Sequence, residues 1–176
     1  MRRLGWRGIE SVNELRESQA IHWFYETCSS RIWAVRVAAG RPFRDAQALY
    51  NRADLILAEL TDADLDEALA GHPRIGERSD SAASTREQAG VSGADEQTLA
   101  ELKKYNVEYE DRFGHVYLVF ANGRPADELL QILRERMDNP PDVERRVMRM
   151  ELAKINRARL ERALTPVHQL ADGTTR

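Results

Sequence analysis

The sequence predicts an all-α fold: a single-domain bundle of about seven to nine helices with one buried extended segment. Three observations carry this expectation. Apolar residues recur at spacings of three and four along most of the 176 residues. Gly, Pro and small polar residues interrupt the pattern at intervals of helical length. One largely apolar run, His115-Val116-Tyr117-Leu118-Val119-Phe120-Ala121, reads by itself as a buried strand, yet no second run exists for it to pair with. It is therefore expected to be extended or irregular backbone buried among helices. The domain is expected to span 1–176, with its core at about 11–165 and a frayed tail at 166–176.

The elements follow in order. Ser18 to Ser29 carries Ile21, Phe24, Tyr25 and Cys28 at helical spacing, with Ser18 as candidate N-cap. Arg31 to Ala39 continues until Gly40-Arg41-Pro42-Phe43 breaks it. Asp45 to Leu60 places Leu49, Ala53, Ile56, Leu57 and Leu60 on one side. Thr61-Asp62-Ala63-Asp64 resembles a capping box with Asp in place of Glu, and starts a short helix that ends near Ala70. Gly71 is expected to close that helix in a left-handed cap. Residues 76–93 are rich in Gly, Ser, Ala and charge, and read as a loop. Within it Ser84 to Gln88 can form a short helix, with Ser84 as N-cap and Glu87 at N3. Ala94 to Phe113 is a long helix stopped by Gly114. Pro125 opens the next helix, through Leu129, Ile132, Leu133 and Met137, and the last runs from about Pro141 to Leu164.

Composition narrows the function. The net charge is −3, so no global field favours nucleic acid or a membrane surface. No segment approaches the roughly 20 apolar residues of a bilayer span. No apolar run follows the basic N-terminus, so no signal peptide is expected and the cytoplasm is the default location. The single cysteine, Cys28, excludes an internal disulfide and reads as a small buried hydrophobe. No Cys/His cluster has metal-ligand spacing, no Gly-rich phosphate loop is present, and no Gly-x-Ser-x-Gly elbow supports a serine hydrolase. No metal or cofactor is expected.

Three polar features remain. In Gly71-His72-Pro73-Arg74-Ile75-Gly76-Glu77, Pro73 pushes His72 towards extended backbone and sets an imidazole on a stiff corner. A helix stop that merely contains a histidine accounts for the stretch equally well. Glu87 lies just downstream, and could serve only as a helix-start partner of Ser84. On the last helix Arg159 shares a face with Ile155, at the edge of the apolar side, where a solvated arginine is the plainer reading. Together the three offer proton transfer, a hydrogen-bonding carboxylate and a fixed cation, a set suited to a small anionic substrate.

These residues fall into an ordered series: His72-Pro73-Arg74-Ile75-Gly76, Ser84-x-x-Glu87-Gln88, Asn106-x-x-Tyr109-x-x-x-Phe113-Gly114, and Glu151-x-x-x-Ile155-x-x-x-Arg159-Leu160. Arg41-Pro42-Phe43 precedes them. The series resembles the 2-oxo-4-hydroxy-4-carboxy-5-ureidoimidazoline (OHCU) decarboxylases, which complete the route from urate to (S)-allantoin, over about Trp23 to Leu164. The resemblance implies an all-helical, commonly dimeric, cofactor-independent carboxy-lyase. It implies catalytic roles for His72, Glu87 and Arg159. It implies substrate contacts at Pro73, at Ser84, Thr85, Arg86, Glu87 and Gln88, and at Tyr117, Leu118, Val119, Phe120 and Ala121. A small anionic ureidoimidazoline is the implied substrate. Some members carry His-Pro-Asp-Leu where this chain has His-Pro-Arg-Ile. A functional association with a hydroxyisourate hydrolase is left open. So are two other readings: a relative acting on another ureido acid, and a non-catalytic binding module.

Overall fold

The computed structural model describes residues 8–77, 82–91 and 93–165. Among these the chain forms nine α-helices and one 3₁₀ turn, and no strand. The expected tail at 166–176 lies outside the described residues. The chain divides into two compact units: residues 1–64 with 156–176, and residues 65–155.

The first unit holds α1 (Ile9–Asn13), α2 (Glu17–Cys28), α3 (Arg31–Ala38) and α4 (Ala46–Glu59), with the end of α9 (Pro141–Leu164). Its core is Phe24, Cys28, Trp33, Ala34, Val37, Leu49, Ala53, Ile56 and Leu57. Trp33 buries its indole and donates Nε1–H to the Ala53 carbonyl at 3.0 Å, which satisfies the one polar atom of that side chain. Asp45 and Ser30 cap their helices as residue type dictates. Ser18 does not cap α2: that helix begins two residues earlier, with Arg16 at the N-cap and its backbone N–H donating to the Gln19 side chain. Helix α1, short and weakly periodic, was not visible in the sequence. Asn13 gives it a purpose, since its amide pairs with both the carbonyl and the N–H of Phe43 at 2.8 Å each.

The second unit holds most of α5 (Asp62–Ala70), then α6 (Ala82–Glu87), a 3₁₀ turn at Ala89–Val91, α7 (Glu96–Phe113), α8 (Ala126–Met137) and the first part of α9. The Thr61/Asp64 capping box at the start of α5 forms as expected, with Thr61 N–H on Asp64 and Asp64 N–H on Thr61 Oγ1. Helix α7 runs from its Asp95 cap to Gly114, which sits at φ 76° where an L-side chain would be strained. Two expectations fail here. Gly71 is not left-handed; α5 ends in tightened i→i−3 bonds from Gly71 N–H to Ala68 and from His72 N–H to Leu69. Ser84 is not a cap either, because α6 starts at Ala82 and buries Ser84 in its interior.

Residues 116–121 are irregular and carry four buried residues, Tyr117, Leu118, Val119 and Ala121. Tyr117, Val119 and Ala121 pack in one cluster with Ile75, Leu102 and Tyr109, and with Leu129 and Leu133 of α8. With no strand beside them, their backbone is held partly by side chains. Arg136 Nη1 donates to the Leu118 carbonyl at 2.7 Å, and Phe120 N–H donates to Glu151 Oε2 at 2.7 Å. Arg136 in turn grips Glu144, which is wholly buried, with Nε at 2.8 Å and Nη2 at 2.5 Å from Oε1. Tyr109 donates its hydroxyl to the same oxygen, and Asn139 Nδ2 reaches Oε2 at 2.7 Å. Burial is the largest influence and opposes the Arg136 charge, but the bond to Glu144 together with the charge interactions with Tyr109, Glu144 and Tyr117 outweighs it and holds the guanidinium above its usual value. Burial, above all, pushes the Tyr109 hydroxyl well above the ordinary phenol range, so it serves as a donor.

The corner after α5 is held from α7. Arg74 makes a fork to Glu110, Nε at 2.6 Å and Nη2 at 2.7 Å. The Asn106 amide donates to the Ile75 carbonyl at 3.1 Å and to Leu102 at 2.9 Å.

Removing one member of a buried pair strands the other charge, so Glu144→Ala is expected to lower unfolding free energy by about 3–5 kcal/mol in urea titrations. The double change Glu144→Leu with Arg136→Met should cost less than the single one; a loss below about 1 kcal/mol for Glu144→Ala contradicts this account. The Arg74 hydrogen bonds hold the Glu110 carboxyl below the usual carboxylate range. Its folded value is thus below its unfolded one, so the unfolded chain binds more protons in that interval and stability rises with pH. This contribution is present above about pH 4.5 and is lost as pH falls through the folded value. Glu110→Gln should flatten the acid limb of a plot of stability against pH, and an unchanged limb would refute the assignment.

Candidate active site

His72 ends the tightened turn of α5 with its ring buried, at 6% exposure. Its Nδ1 lies 2.7 Å from the Ala68 carbonyl. A carbonyl only accepts, so Nδ1 carries the hydrogen in this bond. The sequence pictured an imidazole on an outlying corner; the structure instead sinks it and fixes its tautomer. Pro73 and Arg74 follow, half-buried.

Glu87 and Gln88 sit at the end of α6. Gln88 spends its amide on the histidine corner: Oε1 accepts from Gly76 N–H at 2.9 Å, and Nε2 donates to the Arg74 carbonyl at 3.2 Å. The Glu87 carbonyl accepts from Gly123 N–H at 3.1 Å, just past the apolar segment. Gly90 allows that approach, since a Cβ there would come within 2.3 Å of the carbonyl oxygens of Gly123 and Arg124. The second unit thereby ties together the His72 corner, the Glu87 segment and the end of the 117–121 segment. Ser84 is buried, Thr85 and Arg86 are exposed, and Glu87 is half-buried.

Leu118 C=O and Phe120 N–H are taken by Arg136 and Glu151. Between them, Val119 is 4% exposed, and its own N–H and C=O make no hydrogen bond among the described residues. A buried donor–acceptor pair of this kind is what a flat ureide can satisfy.

Arg159 belongs to the first unit, where it is half-buried and its Nη1 donates to the Thr27 carbonyl at 2.9 Å. Arg157, two residues earlier, is occupied elsewhere, with Asp54 at 3.2 Å and the Tyr50 ring at 4.3 Å. A cleft of about 390 Å³ in the second unit is lined by Asp66, Leu69, Glu110, Asp111, His115 and Val116 among others. Two of its charges are paired, Asp66 with Arg145 at 2.8 Å and Glu110 with Arg74, and none of His72, Glu87 or Val119 lines it.

Sequence reasoning missed Arg136, Glu144 and the role of Glu151. A signal was available for the first two. Leu129, Leu133 and Arg136 share one face of α8, and Glu144, Met148, Leu152 and Ile155 share one of α9; in each, a charge completes a buried apolar stripe. Among the described residues no group of three or more His, Cys, Asp or Glu could hold a metal ion. No helix there is long and apolar enough to cross a membrane.

The chain is also similar to known proteins. The OHCU decarboxylase family profile matches residues 13–161. The Arabidopsis thaliana uric acid degradation bifunctional protein TTL is 32% identical over 141 residues, covering 76% of this chain but 44% of its own length. The chain likewise spans only 31% of a Bacillus sp. (strain TB-90) bifunctional uric acid degradation protein. An Amia calva 2-oxo-4-hydroxy-4-carboxy-5-ureidoimidazoline decarboxylase is 28% identical, with 87% of this chain and 92% of that one aligned. A crystal structure of OHCU decarboxylase in the presence of (S)-allantoin superposes with a TM-score of 0.73 at 28% identity, covering 82% of this chain and 97% of that one. The chain belongs to the OHCU decarboxylase family.

Proposed function

We propose that this chain decarboxylates OHCU to (S)-allantoin, with His72 as the proton-transfer residue. The observation that carries the reading is the tethering, within one unit, of a tautomer-fixed histidine, the Glu87 segment and the unsatisfied Val119 backbone. The substrate carbon that loses CO₂ bears a hydroxyl and adjoins a C=N bond. When the C–CO₂ bond breaks, its electron pair moves into the ring and out to the imine nitrogen. The hydroxyl then becomes a carbonyl, and the neighbouring ureido-bearing carbon takes a proton on one face. The imine nitrogen also takes a proton as the hydroxyl gives one up, so a net one proton in and one CO₂ out balance the step, and the substrate supplies its own electron sink.

The protein's share is positioning and proton transfer. His72 Nε2 exchanges the proton, since Nδ1–H is held by Ala68. Glu87 orients the ring or its hydroxyl. Arg159 makes charge-assisted hydrogen bonds to the substrate's anionic oxygens. Val119 offers one donor and one acceptor to the ureide plane, with Pro73 and the neighbouring residues of 84–88 and 117–121 as the remaining contacts. Delivery from one face accounts for a single allantoin enantiomer.

The same reading takes the enzyme as a cytoplasmic homodimer, as the family resemblance implies. The bifunctional relatives, which extend well beyond the matched stretch, support a functional association with a hydroxyisourate hydrolase.

With freshly generated substrate, His72→Asn is expected to cut kcat by about 10²–10⁴-fold, the span of general acid–base catalysis. Arg159→Met should instead raise KM, by about tenfold or more, with a smaller change in kcat. Circular dichroism of the coupled reaction reads the product; (S)-allantoin formed at wild-type rate by His72→Asn, or no enzyme-dependent chirality at all, overturns the reading. Light scattering on the purified chain should return twice the 20.1 kDa of one copy, and a monomer mass removes the dimer from it.

A further inference from the structure

Glu151 opens the last motif of the ordered series, yet the proposed reaction gives it no part. It lies on α9 within the second unit, with its side chain only 12% exposed. Its Oε2 accepts Phe120 N–H at 2.7 Å, and its Oε1 takes Lys154 Nζ at 2.5 Å one turn on. On the other side of Val119, Arg136 Nη1 holds the Leu118 carbonyl at 2.7 Å. Two charged side chains thus pin the two peptide planes that carry Val119 N–H and C=O, groups that make no hydrogen bond among the described residues. Neither pin is redundant, because no strand occurs among the described residues to hold this segment by a ladder. In irregular backbone a peptide plane is fixed only by the bonds it makes.

We propose that Glu151 is a positioning residue of the decarboxylation site: by holding Phe120 N–H it fixes the peptide plane that carries Val119 C=O and turns that carbonyl towards the ureide, as Arg136 does for the plane of Val119 N–H. The inference rests on the decarboxylase reading and deepens it. The bond it invokes can be measured in the ligand-free protein. Glu151 does not touch substrate; it sets the orientation of the groups that do. Release of Phe120 N–H would let the segment turn, and binding would weaken before the chemistry does.

The test compares Glu151→Ala and Glu151→Leu with Glu151→Gln in the full chain, using fresh OHCU. Gln keeps an acceptor oxygen on a side chain of the same length; Ala and Leu have none, and Leu keeps the packing volume. We expect KM to rise roughly tenfold in Ala and Leu with kcat falling less, and Gln to recover KM to within about threefold of wild type. Hydrogen exchange at the Phe120 amide should quicken at least tenfold in Ala and Leu but not in Gln. Lys154→Ala, which removes only the partner on Oε1, should match wild type in both. A purely structural Glu151 would lower melting temperature and leave KM alone. An active wild type with unchanged KM in Leu or Ala, or a Gln variant as impaired as they are, overturns the proposal alone. An inactive wild type overturns the decarboxylase reading and this proposal with it, whatever Phe120 exchange shows.

Discussion

The buried Arg136–Glu144 pair is the interaction on which the second unit rests. Taking two charges out of water costs several kcal/mol per ion, and mutual attraction offsets this only when the remaining donors and lone pairs are also used. Here they are. Glu144 accepts from Arg136, Tyr109 and Asn139, and Arg136 has a further bond left for Leu118 C=O. The cluster joins side chains of α7, α8 and α9 to the one segment of the core that is not helical. A hydrophobic pair of the same volume would fill the space as well, but it would leave the Leu118 carbonyl buried without a partner.

A second constraint works at the histidine corner. A proton-transfer group is useful when its tautomer and its distance are fixed before substrate arrives. The last carbonyls of a helix lack intrahelical partners, and one of those near the end of α5, Ala68 C=O, is what orders the His72 ring. The corner is then held by three independent groups: Gln88 on the backbone at 74 and 76, Asn106 on Ile75, and Glu110 on the Arg74 side chain. None of them needs to touch substrate to matter, since each sets where the imidazole stands.

Much of this was legible because it is local. The Thr61/Asp64 box caps α5 through bonds spanning three residues, and Gly114 stops α7 for a reason contained in one φ angle. The 116–121 run was readable as buried and partnerless from its composition alone. The errors have a physical pattern as well. Gly71 can adopt a left-handed turn but is not obliged to, and tightened bonds to Ala68 and Leu69 close α5 without one. Ser84 and Glu87 stand at capping-box spacing, yet α6 begins two residues before Ser84, so neighbouring context decided against the local motif. The pins at Leu118 and Phe120 join positions 18 and 31 residues apart. No local rule reaches across that distance, although the charged residues closing two apolar stripes marked where to look.

The partnerless run also bears on what the proposed reading asks of an all-helical protein, which is to offer backbone groups to a ureide. A helix spends its interior N–H and C=O groups on itself, so they are not available to a ligand. Only chain outside the helices can offer them, and such chain, once buried, carries unmet polar groups of its own. The fold meets part of this demand with side chains, at Leu118 and Phe120, and leaves Val119 between them unmet. The two facts belong together. Satisfying every group would have produced a well-packed core with nothing to offer, and satisfying none would have left the segment free to turn. Pinning the neighbours while leaving the middle residue open keeps a donor and an acceptor oriented, and without a partner among the described residues, in the same unit as the ordered His72 ring.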